Sequence, residues 1–99
     1  MYKMLLSWDI KPNQDQEYFE FMVREFAPKI TSMGITPIEA WFSIYGDAPQ
    51  IIIEGTAESL QTIRDLVDSS EWIELHAKLL GFVENYHQKV VVGRPDLQL

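Results

Sequence analysis

The sequence predicts an α+β fold in which four strands and two helical regions follow one another in the order βαββαβ. Three observations lead to this prediction. Apolar residues fall on every second position near the start, then recur three and four apart, and return as β-branched runs in the middle and at the end. A chain of 99 residues has the length of one domain, so we expect a single domain over residues 1–99.

The first apolar segment, Tyr2 to Ile10, has methionine, leucine, tryptophan and isoleucine at alternate positions and is predicted to be a strand. Pro12 ends it. We expect Asn13 to cap a helix from Gln14 to Met33, with Gln16 completing a capping box. Pro28 lacks the amide hydrogen that a helix interior needs, which predicts a kink over residues 24–28.

The second half of the chain is divided by its glycines, prolines and serines. The short turn at residues 46–49 predicts an antiparallel hairpin of two strands. A helical region is expected from Thr56 and a further helix capped by Ser70 and ended by Gly81. The predicted strands are Ile35–Gly46, Gln50–Gly55 and Phe82–Val92.

Composition excludes several classes of function. The net charge of −7 repels phosphate backbones and anionic lipid, so we expect neither nucleic acid nor membrane as a partner. The absence of cysteine removes thiolate nucleophiles and cysteine-ligated metals. His76 and His87 lie on different elements without ligand spacing, so we predict no metal site and no cofactor. The apolar run at the start is too short for a signal peptide or a membrane span, which favours a cytoplasmic protein.

Three strand segments are apolar on both alternating sets of positions: Met4-Leu5-Leu6, Ile51-Ile52-Ile53 and Val90-Val91-Val92. Strands have this character when both faces of their sheet are buried. The helices of a βαββαβ fold cover only one face, so a second copy of the chain is the simplest cover for the other. We therefore expect a homodimer; a barrel strand or a different partner protein are the alternatives.

The element order, the doubly apolar strands and the additional helix Ser-Glu-Trp-Ile-Glu-Leu-His at residues 70–76 resemble the dimeric α+β barrel superfamily. The resemblance implies a ferredoxin-like, four-stranded antiparallel sheet with the first and third strands in the centre, stacked on the sheet of a second subunit. That superfamily includes cofactor-independent monooxygenases, haem-degrading enzymes, muconolactone-isomerase-like enzymes and members without known activity, so it does not fix the chemistry.

The less apolar set of strand positions mixes aromatic and polar residues, the composition of a small-molecule pocket. On this set we predict His87 as a catalytic acid or base with Glu39 or Glu54 as its electrostatic partner. Candidate ligand-binding residues are Trp41, Ser43, Tyr45 and Asn85, and the same set includes Ser7, Asp9, Ile52 and Lys89. A bulge in any strand would exchange its faces.

The predicted function is a homodimer that binds a small apolar or aromatic molecule between sheet and helices or between the stacked sheets. One alternative is a cofactor-independent monooxygenase or isomerase-like enzyme. Another is an acidic protein-interaction module, which requires that the acids at positions 39, 47, 54, 58, 65 and 68 share one exposed face. In the plainest alternative, Trp41 and Tyr45 are interface anchors and the charged residues lie in water at the rim. His76 is expected to be a half-buried packing residue on a helix.

Overall fold

A computed structural model describes residues 1–42 and 49–92, with the backbone alone for residues 38, 39, 41 and 42. Its elements follow the predicted βαββαβ order and confirm the α+β fold. They are β1 (Tyr2–Ile10), α1 (Asp15–Phe21), a π-helical turn (Met22–Phe26), α2 (Ala27–Ser32), β2 (Thr36–Phe42), β3 (Ile51–Ala57), α3 (Leu60–Asp68), α4 (Ser70–Leu80) and β4 (Val83–Val92).

The four strands form one antiparallel sheet in the order β2-β3-β1-β4. The first and third strands are central, as the resemblance implied. The helices cover the face that carries Met4, Leu6, Trp8 and Ile10 of β1. We call this the helix face. The opposite side, which carries Lys3, Leu5, Ser7 and Asp9 of β1 and their cross-strand partners, we call the open face.

The space between the helices and the sheet is filled by large side chains. Trp8 is fully buried and makes edge-on ring contacts with Tyr18 and Phe26, at centroid distances of 6.4 and 5.9 Å. The void bordered by Leu6 and Trp72 has a volume of about 10 Å³, room for about one water molecule. This part of the interior therefore has no space for a ligand.

The long first helical region loses its regular α-helical form close to Pro28, where the sequence predicts a kink. The backbone widens into a π-helical turn over Met22–Phe26, immediately before the helix that contains Pro28. Proline cannot donate a helical hydrogen bond, and its ring crowds the carbonyl four residues earlier, so the wider turn accommodates both effects. The predicted capping box is wrong. Gln14 is the N-cap without a side-chain bond, and Asn13 adopts a positive φ of 65° in the preceding turn.

Other boundaries differ from the predictions by a few residues. β3 continues through Ala57 beyond the predicted start of a helix at Thr56, because it pairs with β1 along that length. The caps are Ser59 for α3, whose hydroxyl accepts from the Thr62 amide, and Ser69 for α4 in place of the predicted Ser70. α4 ends at Gly81, as expected. The hairpin turn predicted at residues 46–49 lies largely outside the described residues.

Among the described strand residues, two bulges interrupt the ladders. The pairing of β2 with β3 shifts by one residue between Pro37 and Glu39, and that of β4 with β1 shifts near Asn85. Before the bulge, Pro37 pairs with Gly55, a helix-face position. Beyond the bulge, Glu39 returns to an open-face position opposite Glu54.

Candidate ligand site on the open sheet face

The open face carries a groove of about 470 Å³. Its lining combines apolar side chains with a hydroxyl, an imidazole and an ammonium group. The lining residues are Leu5, Leu6, Ser7, Pro49, Ile52, His87, Gln88 and Lys89. Ligand pockets in proteins commonly have volumes of about 300–1,000 Å³ and this kind of mixed lining.

One row of directly paired residues crosses the sheet at this groove. Ser7 on β1 pairs with Ile52 on one side and with His87 on the other. Ile52 pairs in turn with Trp41 on β2. Side chains that are paired across antiparallel strands lie about 5 Å apart at their Cβ atoms. The register thus brings Ser7 beside His87 and places Trp41 in the same row.

The second row contains the two predicted acidic partners of His87. Glu39 pairs with Glu54, and Leu5 pairs with both Glu54 and Lys89. Neighbouring strands are about 4.8 Å apart, so Glu54 lies roughly 10 Å, two strand spacings, from the strand of His87. The backbone does not bring either glutamate next to the histidine.

Glu54 is engaged elsewhere. It is 9% exposed, and its Oε1 lies 2.8 Å from Nζ of Lys3 on the neighbouring strand. A buried carboxylate requires such a partner, because an unpaired charge out of water is costly. This ion pair stabilises the carboxylate of Glu54 at its buried position.

A hydrogen-bond network surrounds His87. Its Nδ1 lies 3.0 Å from the backbone oxygen of Asn85. The side-chain amide of Asn85 donates to Oδ2 of Asp9 at 2.9 Å, and Oδ1 of Asp9 accepts from the backbone amide of Gln50 at 2.8 Å. The Asn85 bond, followed by the Gln50 bond, lowers the pKa of Asp9. Asp9 therefore stays ionised and joins three segments of chain: β1, β4 and the residues that lead into β3.

Of the predicted ligand-binding residues, Asn85 lies in this network, and Trp41 has an open-face position by its pairing. Ser43 and Tyr45 lie outside the described residues. Sequence patterns did not identify Gln50, whose side chain also accepts from the amide of Ile10 at 2.8 Å. The contacts of Gln50 with Ile10 and Asp9 depend on the pairing of β1 with β3, which the alternation of residues in the sequence does not reveal.

His76 has more distinctive surroundings than the sequence suggested. Its ring stacks on Trp72 at 5.6 Å and meets the edge of Tyr86 at 4.6 Å, with Nε2 buried and without a hydrogen-bond partner among the described residues. Burial lowers the pKa of His76. The packing role that we expected agrees with these aromatic contacts. His76 lies on the helix side, away from the groove.

Within residues 1–42 and 49–92, no three histidine, aspartate or glutamate side chains converge as metal ligands. The described helices include none with the length and apolar character needed to span a bilayer. The acids required for an interaction module are not gathered on one face. Glu54 lies on the open face, whereas Asp65 and Asp68 lie on α3 in the helical layer, and Asp47 is outside the described residues.

Comparisons with known proteins support the fold and leave the chemistry open. No family profile matches the chain, and no curated protein matches it. Among solved structures, a protein from Arabidopsis thaliana superposes with a TM-score of 0.79 at 14% identity, covering 100% of both chains. An uncharacterised NIPSNAP domain protein from Burkholderia xenovorans gives 0.71 at 12% identity, over 96% of each chain.

A third solved structure, described as a candidate antibiotic biosynthesis monooxygenase from Nitrosomonas europaea, gives a TM-score of 0.68 at 12% identity. It covers 94% of this chain and 98% of its own. At these identities each likeness establishes a shared backbone architecture alone. The chain thus has the ferredoxin-like α+β fold of NIPSNAP proteins and of an antibiotic-monooxygenase-like protein.

Proposed function

We propose that the protein is a homodimer whose two open sheet faces pack together and hold a small, largely apolar molecule in the groove beside Ser7 and His87. The observation that carries the proposal is the groove itself. It has about 470 Å³ of space, with Leu5 and Ile52 as apolar walls and two hydrogen-bonding side chains in one cross-strand row.

The dimer is supported by the chemistry of the open face. Leu5, Ile52 and Val91 are only partly buried in the single chain, although all three lie on the sheet. Apolar side chains on a sheet face gain about 25 cal/mol for each Å² removed from water. A second copy offers the same apolar surface, so a twofold contact is self-complementary.

The position of the ligand follows from the available volume. The interior void on the helix face near Trp72 holds about 10 Å³, whereas the open-face groove holds about 470 Å³. We therefore place the ligand between the stacked sheets and not between sheet and helices. Ser7 donates or accepts one hydrogen bond there, and His87 a second.

The dimer is tested by reversing the character of the open face. Ile52→Lys puts a charge at the centre of that face and should weaken dimerisation at least 100-fold, as measured by sedimentation equilibrium. Val23→Lys is the matched control, because Val23 is 74% exposed on the helical layer. Equal dimerisation of both variants would contradict the proposed interface.

Ligand binding is tested by NMR titration of the dimer with a set of small substituted aromatics. The proposal predicts that amide shifts concentrate at Leu5, Ser7, Ile52 and His87. A second concavity of about 340 Å³, between α3 and β4 around Ile63 and Val90, serves as the internal control. Shifts confined to that concavity, or no saturable shifts with any compound, would contradict the proposal.

A cofactor-independent enzyme is the second candidate, favoured by the direct pairing of Ser7 with His87 at the groove. An imidazole held beside a bound ligand is a common proton acceptor. Oxygen uptake with bound phenols, lost in His87→Gln but retained in His76→Gln, would support a monooxygenase. Binding without turnover would leave the protein as a ligand-binding dimer.

A further inference from the structure

The bulge in β4 gives the chain an unusual backbone shape next to His87. Ser7 pairs with His87, but Asp9 pairs with Glu84, so β4 contains one residue more than β1 over this stretch. Asn85, within the bulge, has a φ of 57°. Asparagine tolerates this left-handed conformation better than most residues, which explains its presence at the bulge.

The side chain of Asn85, in the bulge, is hydrogen-bonded to the carboxylate of Asp9. Asp9 accepts from the Asn85 side chain through Oδ2 and from the Gln50 amide through Oδ1. Both oxygens are thereby fixed, one to β4 and one to the segment that leads into β3. The backbone oxygen of the same Asn85 lies 3.0 Å from Nδ1 of His87.

This contact has a chemical consequence for the imidazole. A backbone carbonyl oxygen can only accept a hydrogen bond, so Nδ1 of His87 must carry a proton to form one. In the neutral ring, Nε2 then holds the lone pair. Free histidine side chains in water favour the opposite form, with the proton on Nε2, so the contact selects the less common tautomer.

We propose that Asn85 and Asp9 are positioning residues that hold neutral His87 with its proton on Nδ1 and present Nε2 to the groove as a hydrogen-bond acceptor. This inference rests on the ligand site proposed above and narrows its ligand class. The groove accepts an apolar molecule with a weakly acidic hydroxyl, such as a phenol or an enol, which donates to Nε2. A ligand without a hydrogen-bond donor, such as an aryl ether, cannot form that bond.

The experiment measures the tautomer directly in the ligand-free protein. Long-range proton–nitrogen correlation spectra of the protein labelled with ¹⁵N-histidine distinguish the two forms at a pH where the ring is neutral. His87→Gln assigns the signals of the two histidines. We expect the Nδ1–H form to predominate at His87. A predominant Nε2–H form would overturn the proposal.

Two variants test the positioning residues. Asp9→Asn removes the charged acceptor, and Asn85→Gly keeps the left-handed backbone but removes the anchor to Asp9. Each should shift the tautomer ratio toward Nε2–H by about three- to tenfold, the range of one hydrogen bond. The matched control is Asp65→Asn, because Asp65 also accepts from a side-chain amide, that of Gln61 at 2.7 Å, but on α3. An unchanged ratio in both Asp9→Asn and Asn85→Gly would overturn the role of the anchor.

The ligand class is tested separately with p-cresol and 4-methylanisole, which differ by the hydroxyl proton. We expect p-cresol to move the Nε2 resonance of His87 in the wild type and 4-methylanisole to leave it in place. If the tautomer is as predicted but neither compound binds in the groove, the proposed ligand site fails while the positioning of His87 stands. If both compounds move the resonance equally, the donor requirement fails.

Discussion

The two faces of the sheet differ in what their residues do. On the helix face, Leu6 and Trp8 are 3% and 0% exposed, and the space around them is filled. On the open face, their neighbours Leu5 and Ser7 are only partly buried and line a groove of about 470 Å³. Successive residues of one strand thus serve different ends. The helix face stabilises the folded chain, and the open face is the one that we propose binds a second copy and a ligand.

The largest expected effect compares the two leucines of β1. Leu6→Ala empties part of the helix face and should lower the free energy of unfolding by about 2–5 kcal/mol. Leu5→Ala, one residue away on the open face, should cost the isolated subunit less than about 1.5 kcal/mol and act on the dimer dissociation constant. Urea titrations over a range of protein concentrations separate the two effects. Equal losses that do not depend on concentration would remove the distinction between the faces.

On the helix face, Nε1 of Trp8 donates a buried hydrogen bond of 2.9 Å to the hydroxyl of Tyr18. We expect this bond to contribute to the stability of the core. Tyr18→Phe leaves a buried indole donor without an acceptor and should cost about 1–3 kcal/mol in thermal or urea unfolding. Burial raises the pKa of Tyr18 to about 12, so the hydroxyl stays protonated in any ordinary buffer. A stability unchanged by Tyr18→Phe would show that water reaches this part of the core.

The Lys3–Glu54 ion pair is expected to contribute to the stability of the open face. Glu54→Gln removes the charge and should lower the free energy of unfolding by about 1 kcal/mol, since hydrogen bonds between charged groups exceed neutral ones. Glu20→Gln is the control, because the Arg24–Glu20 pair is well exposed and should contribute little. If Glu54→Gln leaves stability intact but alters ligand binding at His87, Glu54 belongs to the site after all.

The smallest expected effect concerns pH. Burial lowers the pKa of His76 in the folded chain, so the unfolded chain binds the proton more readily. Stability should therefore fall as pH decreases below the unfolded value of about 6.5 and level off below the folded value, with a slope well under about 1.4 kcal/mol per pH unit. His76→Gln should remove this slope in urea titrations between pH 7.5 and 5. A slope that persists unchanged would assign it to other groups.

The sequence predicted the bounds of a strand best where apolar residues alternate and the same residues are buried. β1 has the predicted bounds, Tyr2–Ile10, because Met4, Leu6, Trp8 and Ile10 alternate along it and are all buried on the helix face. The bulge near Asn85 was not predicted, since a bulge depends on the pairing of two strands and not on the residues of one. The contact between the backbone oxygen of Asn85 and Nδ1 of His87, which depends on this bulge, is therefore visible only in the structure. The alternation did place His87, Ser7 and Ile52 together, as their pairing confirms.

The start of the first helix was predicted wrongly for a different reason. Asn13 and Gln16 have the spacing of a capping box, but Asn13 takes a left-handed conformation in the turn after Pro12, and Gln14 begins the helix. Asparagine suits both roles, so the identity of the residue does not decide between them. Tertiary contacts select one, and a single sequence does not contain that information.

The central claim is that a second copy of the chain covers the open face, and the molar mass in solution tests it most directly. Light scattering on the wild-type protein over a concentration series should give about 23 kDa, twice the 11.5 kDa of one chain. A mass of 11.5 kDa at every concentration would contradict the account, because Leu5, Ile52 and Val91 would then face water in the native state.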